Sequence, residues 1–339
     1  MGYGQRISIH HGNGGVHMKR LISDLFIRFF ENDVINEQSD SATLKVSGQH
    51  IAFTTDSFVV DPLFFPGGNI GSLAVCGTLN DLAVSGATPL YLSAGFIIEE
   101  GFSIRKLERI VISMAREAKR SGVKIVTGDT KVVNSGKCDK LFINTSGIGQ
   151  VEPKYLPVSS GSKVKPGDKI ILNGAPGEHG MAILQARMNL NFRSGLKSDC
   201  ASLYPLIKRV LKASDRVHFL RDATRGGVAT VAHEIASKCN VGVDIDEARI
   251  PENTDVRAMC EILGFDPLYI ANEGKLVMVV DASDADSVLH AMQKVKTGKD
   301  AAIIGEITSE MKGKVILKTR SGGKRILDEL IGDQLPRIC

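Results

Sequence analysis

A polar segment that begins at Pro153 and ends at Pro166 divides the chain into two stretches, and each stretch alternates strand-like and helix-like patterns. Apolar residues recur with period two in the strand-like runs and at helical spacing in the others. A chain of 339 residues is long for one hydrophobic core and suits two. We therefore expect two α/β domains, at residues 1–153 and 154–331, followed by a mobile tail at 332–339.

The first stretch predicts strands and helices in the order β-β-α-β-α-β-β. Its strands are expected at 43–46, 51–60, 90–98, 123–127 and 141–150, and its helices at 70–85 and 103–120. The segment 153–166 is expected to be a linker. The second stretch predicts strands near 169–172, 217–219, 241–245, 276–280, 302–307 and 314–318, and helices near 180–188, 202–212, 229–238, 255–263 and 285–295.

The composition is that of a globular protein, with 43% apolar and 24% charged residues. The net charge of +4 is small for this length, and the basic residues are spread along the chain. We therefore expect neither a nucleic-acid surface nor a membrane tether. The sequence contains no apolar run of the roughly 18–20 residues that span a bilayer, and its start does not resemble a signal peptide.

The six cysteines are far apart and form no Cys-x-x-Cys pair. They are Cys76, Cys138, Cys200, Cys239, Cys260 and Cys339. This spacing predicts neither a zinc site nor a disulfide framework, and it suits a reducing, cytoplasmic compartment. Cys339 differs from the others because it is the last residue. Its own α-carboxylate should raise the pKa of its thiol, and Arg337 offers partial relief.

Several aspartates occur where a bare carboxylate is costly to bury. Asp56 lies inside an apolar strand, and Asp81 lies in a helix rich in alanine, valine and leucine. Asp129 is expected at the end of the strand 123–127, where open α/β sheets usually place ligands. Asp40 precedes a strand and, taken alone, is typical of a cap. Together the four carboxylates predict a site for hard cations such as Mg²⁺, with phosphate oxygens completing the metal shell.

Two glycine-rich segments offer backbone N–H groups to an anion. The first consists of His11, Gly12, Asn13, Gly14 and Gly15, and it matches neither a Walker loop nor a dinucleotide fingerprint. A flexible N-terminal loop is the alternative interpretation. The second runs from Asp222 to Gly227 and precedes a helix, so that Arg225 could assist anion binding. An N-cap with a tight turn is equally compatible with that pattern.

Two further loops carry candidate proton acceptors. His179 lies in the loop 173–180, between a predicted strand and a predicted helix, and Glu273 lies directly before the apolar strand 275–280. A glutamate in such a turn is usually solvated. If Glu273 is partly buried, its pKa should rise, but only modestly, because a base must stay ionised near neutral pH.

Taken together, these segments resemble the HypE family of hydrogenase-maturation proteins, within the aminoimidazole-ribonucleotide-synthetase (PurM-like) superfamily. The matching stretches are 9–15, 53–71, 79–87, 126–133, 222–227 and the final Pro-Arg-Ile-Cys at 336–339. They extend over essentially the whole chain. The terminal tetrapeptide separates this family from selenophosphate synthetase and thiamine-monophosphate kinase, which share the aspartates.

The resemblance implies an α/β (α+β) PurM-like fold of two domains. The N-terminal mixed sheet would pair with that of a second copy into a dimeric β-barrel, and the C-terminal domain would be an α/β sandwich. ATP would lie in a groove near the interface. The resemblance assigns Asp40, Asp56, Asp81 and Asp129 to magnesium, the glycine segment 11–15 to the phosphates, and Lys131 to a further phosphate contact.

The resemblance also implies the activity. ATP would drive dehydration of an S-carbamoyl group on Cys339 to thiocyanate, which supplies the cyanide ligand for the iron centre of nickel–iron hydrogenase. Phosphorylation turns the amide oxygen, a poor leaving group, into phosphate, and a base takes the N–H protons. Glu273 is the preferred base and His179 its rival. The carbamoyl donor would be HypF, and the cyanide acceptor the HypC–HypD complex.

Two other functions stay open at this point. A superfamily kinase or synthetase could act on a small free substrate, with a purely structural tail. A non-catalytic carrier could bind nucleotide only for shape and present Cys339 to partners. The terminal cysteine favours the dehydratase and the carrier, whereas the aspartates favour the dehydratase and the kinase.

Overall fold

The structure is a computed structural model that describes residues 11, 15–30, 32–188, 195–330, 335 and 337–339. It contains two units, each built on one large sheet, and a buried helix lies where the two units meet. Within the described ranges, no helix is both long and apolar enough to cross a membrane.

The first unit follows the predicted order, with helical segments added before its first strand and two short strands added after its second strand. Its helices are α1 (Val16–Leu21), which continues through a π-helical segment (Ile22–Ile27) into α2 (Arg28–Phe30), and then α3 (Ile70–Val84) and α4 (Ile104–Ser121). Its strands are β1 (Ala42–Val46), β2 (Gln49–Phe58), β3 (Phe64–Phe65), β4 (Gly68–Asn69), β5 (Ala87–Glu99), β6 (Lys124–Val133) and β7 (Leu141–Val151).

The five-stranded sheet of this unit has the order β1-β2-β7-β5-β6, and only the β5–β6 pair is parallel. Helix α3 packs on β2 and β7 and is almost entirely buried. It begins at a capping box, in which the Asn69 side chain accepts from the amide of Ser72 and the Ser72 hydroxyl accepts from the amide of Asn69. Its other side contacts the second unit, so α3 links the two.

The face of the first sheet that points away from α3 is exposed and partly apolar. Strand β7 shows the alternation clearly, since Ile143 is buried whereas Asn144 and Ile148 are exposed. Phe53 and Ile97 are also exposed there, at 42% and 45% of their surface. Several apolar side chains exposed on one face of a sheet are typical of a surface for association.

The second unit contains a seven-stranded sheet of order β14-β13-β10-β12-β8-β11-β9. Its strands are β8 (Lys169–Leu172), β9 (Val217–Asp222), β10 (Gly242–Asp246), β11 (Leu276–Val280), β12 (Ala302–Thr308), β13 (Val315–Lys318) and β14 (Lys324–Ile326). Its helices are α5 (Leu156–Ser160), α6 (Glu178–Met188), α7 (Tyr204–Ala213), α8 (Gly227–Lys238), α9 (Thr254–Leu263) and α10 (Ala285–Gln293). One core joins α8 to the sheet and another joins α7 and α10 to its opposite face, as in a sandwich.

Three predictions about elements need correction. The segment 153–166 is not an irregular linker, because it folds into a 3₁₀ turn and α5, with Val158 buried against the second unit. Strand β6 runs to Val133, beyond the predicted end at residue 127. Asp129 therefore lies inside a strand. The segment 324–326, expected to be without regular structure, pairs with β13 as β14.

Candidate functional site

A cavity of about 210 Å³ lies at the junction of the two units. Helix α3 and strand β2 contribute from the first unit, and the end of β9 and the turn after it contribute from the second. Its lining consists of Asp40, Thr54, Thr55, Asp56, Gly77, Asp81, Asp222, Thr224, Arg225, Glu273 and Cys339. Seven of the fifteen candidate residues that the sequence singled out thus lie together, namely Asp40, Asp56, Asp81, Asp222, Arg225, Glu273 and Cys339.

The acidic part of the cavity has the spacing of a cation site. One carboxylate oxygen from each of Asp40, Asp81 and Asp222 lies within 4.8 Å of the others. Asp40 directly precedes the first hairpin, Asp81 is part of α3, and Asp222 ends β9. Asp56 lines the same cavity from β2. Sequence reasoning treated Asp222 as a nucleotide contact only, although its position at a strand end was a signal for this role as well.

The electrostatics of this group follow from the burial of like charges. Burial, together with the neighbouring carboxylates, raises the pKa of Asp81 well above its usual range. Burial, and next the charge of Asp40, raises the pKa of Asp222 to about 8. The Thr54 hydroxyl donates to Asp81 at 2.8 Å and opposes the shift there. Such a group stays protonated or takes up a cation, which is the chemistry expected of a Mg²⁺ site.

Arg221 is a buried cation that the sequence reading missed. Its guanidinium forms ion pairs with both Asp40 and Glu234. These pairs keep its pKa above the usual value despite burial. An arginine inside the apolar run of β9 needs such partners. Its position in that run is the feature of the sequence that could have predicted the ion pairs.

Asp129 does not join the other carboxylates, contrary to the sequence prediction. Asp56 shares a cross-strand row with Thr145 and Gly128, whereas Asp129 shares the next row, with Asn144. Successive residues of a strand point to opposite faces, so Asp129 lies on the exposed face, away from the cavity. There it pairs with Lys131 at 2.9 Å, and 68% of its side chain is exposed.

The last residue of the chain lies in the cavity, and backbone hydrogen bonds hold it and Arg337 against the first unit. The Val59 amide donates to an α-carboxylate oxygen of Cys339 at 3.0 Å, and the Asp61 amide donates to the Arg337 carbonyl at 3.4 Å. Ile338 is buried in the core of the first unit. The structure thus describes the tail in a docked position, and its mobility remains a prediction.

The Cys339 thiol has its pKa raised to about 12 by burial first and by the charges of Glu273 and Asp56 next. The sequence predicted the direction of this shift but gave a different cause, the terminal carboxylate. Arg337 was expected to relieve the shift, but its guanidinium pairs with Asp139 and also donates to the Val59 carbonyl. Arg225 supplies the opposing positive charge instead.

Glu273 lies within electrostatic reach of this thiol but is more deeply buried than the sequence suggested. Burial raises its pKa well above the usual range, and Cys200 and Asp56 add to the rise. The expectation of a modest shift is therefore wrong for the cavity as the structure has it. As a consequence, the ionised form of Glu273 is disfavoured unless other charges in the cavity change.

His179 is fully buried, and both of its ring nitrogens are engaged. Nε2 lies 2.5 Å from the carbonyl oxygen of Ile338, and Nδ1 lies 2.7 Å from the Ser198 hydroxyl. Burial lowers its pKa, so the ring is neutral. In this geometry His179 holds the tail and has no nitrogen to spare for a substrate proton.

Part of the proposed phosphate loop lies outside the described residues. Gly12, Asn13 and Gly14 belong to that part, whereas Gly15 immediately precedes α1 and His11 lies 6.0 Å from His17 between ring centres. Their assignment to phosphate, like that of Lys131, remains a prediction.

Comparison with known proteins identifies the class to which this fold and cavity belong. Residues 38–151 match the N-terminal domain of the AIR synthase related proteins, and residues 165–318 match the C-terminal domain. A solved thiamine-monophosphate kinase of Aquifex aeolicus, 18% identical over 90% of this chain and 97% of that one, has a TM-score of 0.65, which shows the shared fold. The PurM-like two-domain fold expected from the sequence is therefore confirmed.

Closer relatives specify the family within that class. The chain is 49% identical over 335 residues to the carbamoyl dehydratase HypE of Cupriavidus necator, covering 98% of this chain and 95% of that one. It is equally identical, over 338 residues, to the enzyme of Escherichia coli, covering 98% and 99%. The chain belongs to the HypE family of hydrogenase-maturation proteins.

Two solved structures of this family are informative about binding. HypE in complex with ATP has a TM-score of 0.82 and 45% identity, over 98% of this chain and all of that chain. A HypE–HypF complex has a TM-score of 0.86 and 47% identity, over 91% and 99%.

The docked thiol can be tested by its reactivity. We expect iodoacetamide at pH 8 to alkylate Cys339 in the folded protein at least ~100-fold more slowly than in guanidinium, because a thiol with a raised pKa is almost entirely protonated. Mass spectrometry of the C-terminal peptide measures both rates, and the half-buried Cys138 serves as internal control. Equal rates for Cys339 in the two conditions would show that the tail is not held in the cavity.

Proposed function

We propose that this protein uses ATP and Mg²⁺ to dehydrate an S-carbamoyl group on its own Cys339 to thiocyanate, the source of the cyanide ligand for the iron of nickel–iron hydrogenase. The observation that carries the proposal is the position of the Cys339 sulfur. It lines one cavity together with four aspartates, Arg225 and Glu273. The names of the relatives, and the solved complexes of HypE with ATP and with HypF, support the same activity.

The cavity suits Mg²⁺ and nucleotide phosphates. Asp40, Asp81 and Asp222 would hold the metal, with Asp56 beside them. Arg221 pairs with Asp40, but burial and the repulsion among the carboxylates still raise the pKa of Asp81 and Asp222, and a bound cation would offset both effects. When bound, Mg²⁺ neutralises phosphate charge and favours transfer of the γ-phosphoryl group. The positive charge of Arg225 interacts with Cys339, Asp56 and Glu273. We assign it to the phosphate that develops on the amide oxygen.

The reaction balances with one ATP. The carbamoyl oxygen takes the γ-phosphoryl group and forms an O–P bond while ADP leaves and one N–H proton is lost. Cleavage of the C–O bond then releases phosphate, and loss of the second N–H proton completes the C≡N bond. The sum is S–C(=O)–NH₂ plus ATP giving S–C≡N, ADP, hydrogen phosphate and one proton, because the phosphate takes up one of the two N–H protons. No electrons are exchanged with an outside donor.

Glu273 is the base in this proposal. Desolvation holds its pKa high, and the charges of Asp56 and Asp222 contribute to that rise. Charge neutralisation at those aspartates removes part of the repulsion and lets Glu273 ionise. A carboxylate with a raised pKa is a stronger proton acceptor than an ordinary one.

A free small substrate is less well supported than the tail of the chain. In the docked position Cys339 fills part of the cavity, and the Val59 backbone and His179 hold the residues before it. The carrier alternative leaves the acidic group and the buried Glu273 without a use. Both observations favour an enzyme that acts on its own terminus.

Exchange with partners requires the tail to move. The docked thiol is buried, so HypF as carbamoyl donor and HypC–HypD as cyanide acceptor can reach it only after Cys339 leaves the cavity. We propose that the tail moves between the two positions.

We further propose a homodimer formed by the exposed face of the first sheet. That face carries the apolar residues Phe53, Ile97 and Ile148 next to Asp129 and Lys131. Since Asp129 points away from its own cavity, the assignment of Asp129 and Lys131 to the nucleotide requires that they serve the cavity of the partner.

The first test of the function replaces the thiol. We expect Cys339→Ala to bind Mg-ATP normally but to gain no mass of a protein-bound cyano group after incubation with HypF, carbamoyl phosphate and ATP. Cys138→Ala, which removes a thiol outside the cavity, should behave like the wild type. Delivery of cyanide by the Cys339 variant would rule out the tail as substrate.

The second test concerns the base and its pH dependence. Because only ionised Glu273 accepts a proton and its pKa is raised, the single-turnover rate should increase with pH above neutrality. Glu273→Gln should lower that rate ~100-fold or more and remove this pH dependence, while carbamoylation persists. Glu261→Gln, on the exposed side of α9, is the matched control. A near-normal yield of thiocyanate from the Glu273→Gln variant would move the base elsewhere.

The third test concerns the dimer. We expect Ile148→Glu to convert a dimer into a monomer in sedimentation at micromolar concentration, because it buries a charge in the apolar interface. If Asp129 acts across the interface, the same variant should also lose Mg-ATP binding in calorimetry. Met311→Glu, at an exposed apolar residue of the second unit, is the control. A monomeric wild type would remove the proposal.

A further inference from the structure

A short loop after α6, residues 198–203, lies beside the cavity without lining it. Its backbone is fixed at several points. The Ser198 amide donates to the Pro66 carbonyl at 2.8 Å, and the Leu203 amide donates to the Asn80 side chain at 2.8 Å. Asn80 lies one residue before Asp81 in α3 and also donates to the Glu273 carbonyl at 3.2 Å. The loop is therefore tied to the helix that carries the acidic group.

The first residue of this loop fixes the protonation of His179. The Ile338 carbonyl can only accept, so the Nε2 atom of His179 must carry the proton in that 2.5 Å contact. Nδ1 is then an acceptor, and the Ser198 hydroxyl donates a hydrogen bond to it at 2.7 Å. The hydroxyl oxygen in turn accepts from the Cys200 amide at 3.1 Å. Every donor in this chain has an acceptor, and the ring presents its N–H to the tail in one tautomer.

The next residue of the loop fixes Glu273. The two carboxylate oxygens of Asp199 accept from the amides of Glu273 and Gly274, each at 3.0 Å. The Lys275 ammonium lies 3.0 Å from Asp199 and 2.8 Å from Glu178. The positive charge of Lys275 keeps Asp199 ionised despite its burial. Two charge-assisted bonds thus hold the backbone from which the Glu273 side chain projects.

We propose that Ser198 and Asp199 are paired positioning residues, which set the thiol-bearing tail and the Glu273 carboxylate relative to each other. This inference rests on the proposed function. Ser198 acts through His179 on Ile338, the residue before Cys339, and Asp199 acts directly on the backbone of Glu273. Because the two are adjacent in the chain, a displacement of one displaces the other. His179 is accordingly a positioning residue and not a base.

Such an arrangement answers a specific demand of the reaction. The thiol comes from a tail that must leave and return, so the reacting carbon is placed anew in every cycle. A base helps only if the returning group lies within hydrogen-bond reach, and an error of about 1 Å can cost ~100-fold in rate. A loop that holds both groups makes their separation independent of small movements of either unit.

The test of the tail half compares two replacements of His179. Glutamine can present an N–H close to the position of Nε2 but has no basic nitrogen, whereas leucine has neither. We expect His179→Gln to retain the single-turnover rate of thiocyanate formation within ~10-fold and His179→Leu to lose ~100-fold or more. In His179→Leu, iodoacetamide should also alkylate Cys339 faster than in the wild type. Ser198→Ala should lower the rate and speed the alkylation in the same directions as His179→Leu, but by less. Ser214→Ala, at another buried serine, is its matched control.

The test of the other half is Asp199→Asn, compared with Asp168→Asn. Asp168 is also a buried aspartate that accepts from a backbone amide and faces a basic side chain, His218. We expect Asp199→Asn to leave the KM for ATP within ~3-fold but to lower the single-turnover rate ~100-fold. Asp168→Asn should share any loss of thermal stability but keep the rate. Amide exchange at Glu273 and Gly274 should increase in Asp199→Asn alone.

Several outcomes would overturn the inference. Equal losses in His179→Gln and His179→Leu would make His179 a base, and equal rates in Asp199→Asn and Asp168→Asn would leave Asp199 a merely structural residue. If the wild type itself forms no thiocyanate, the proposed function fails. The alkylation of Cys339 and the amide exchange at Glu273 still decide then whether the loop positions both groups.

Discussion

The repulsion among buried carboxylates is the interaction on which the rest of the structure depends. Asp40, Asp81 and Asp222 come from three separate elements of two units, yet an oxygen of each lies within 4.8 Å of the others. Such an arrangement forms only if packing holds the elements in place, and the buried helix α3 does so by its contacts with both units. The two apolar cores and the ion pair of Arg221 with Asp40 thus stabilise an acidic group that would otherwise separate, and the spacing of its oxygens could hold a metal ion.

The organisation of the chain was largely predictable because the periodicity of apolar residues is strong. Most strands and helices of both units have the predicted order, with ends shifted by a few residues. Asp56 and Asp81 were predicted to lie together because a carboxylate in an apolar element needs compensation. Arg221 is in the same situation within β9, and the same argument applied there would have predicted its pairing with Asp40.

Other features depend on properties that are not local in the sequence. The face on which Asp129 lies is determined by the length of β6 and by a register shift beside Leu92 in β5. A strand that is predicted to end at residue 127 does not include Asp129, so it does not indicate the face of the sheet on which that residue lies. The burial of Glu273 results from the docking of loop 198–203 and of the tail, both distant in sequence. The segment 153–166 has the composition of a linker, but Val158 belongs to an apolar core that is formed by α3 and by the second unit, both distant in sequence.

The fixed tautomer of His179 has a consequence for how the protein responds to its surroundings. Burial keeps the ring neutral, and its N–H bond to the tail does not involve a group that changes charge near neutral pH. Glu273, in contrast, has its pKa raised by burial and by neighbouring charges, so a cation bound at those charges would lower it. In the proposed reaction, retention of the tail and reactivity at the sulfur would therefore depend on different variables. Magnesium and proton concentrations would set how fast the bound terminus reacts, whereas the neutral contact of His179 that retains the terminus would not respond to them.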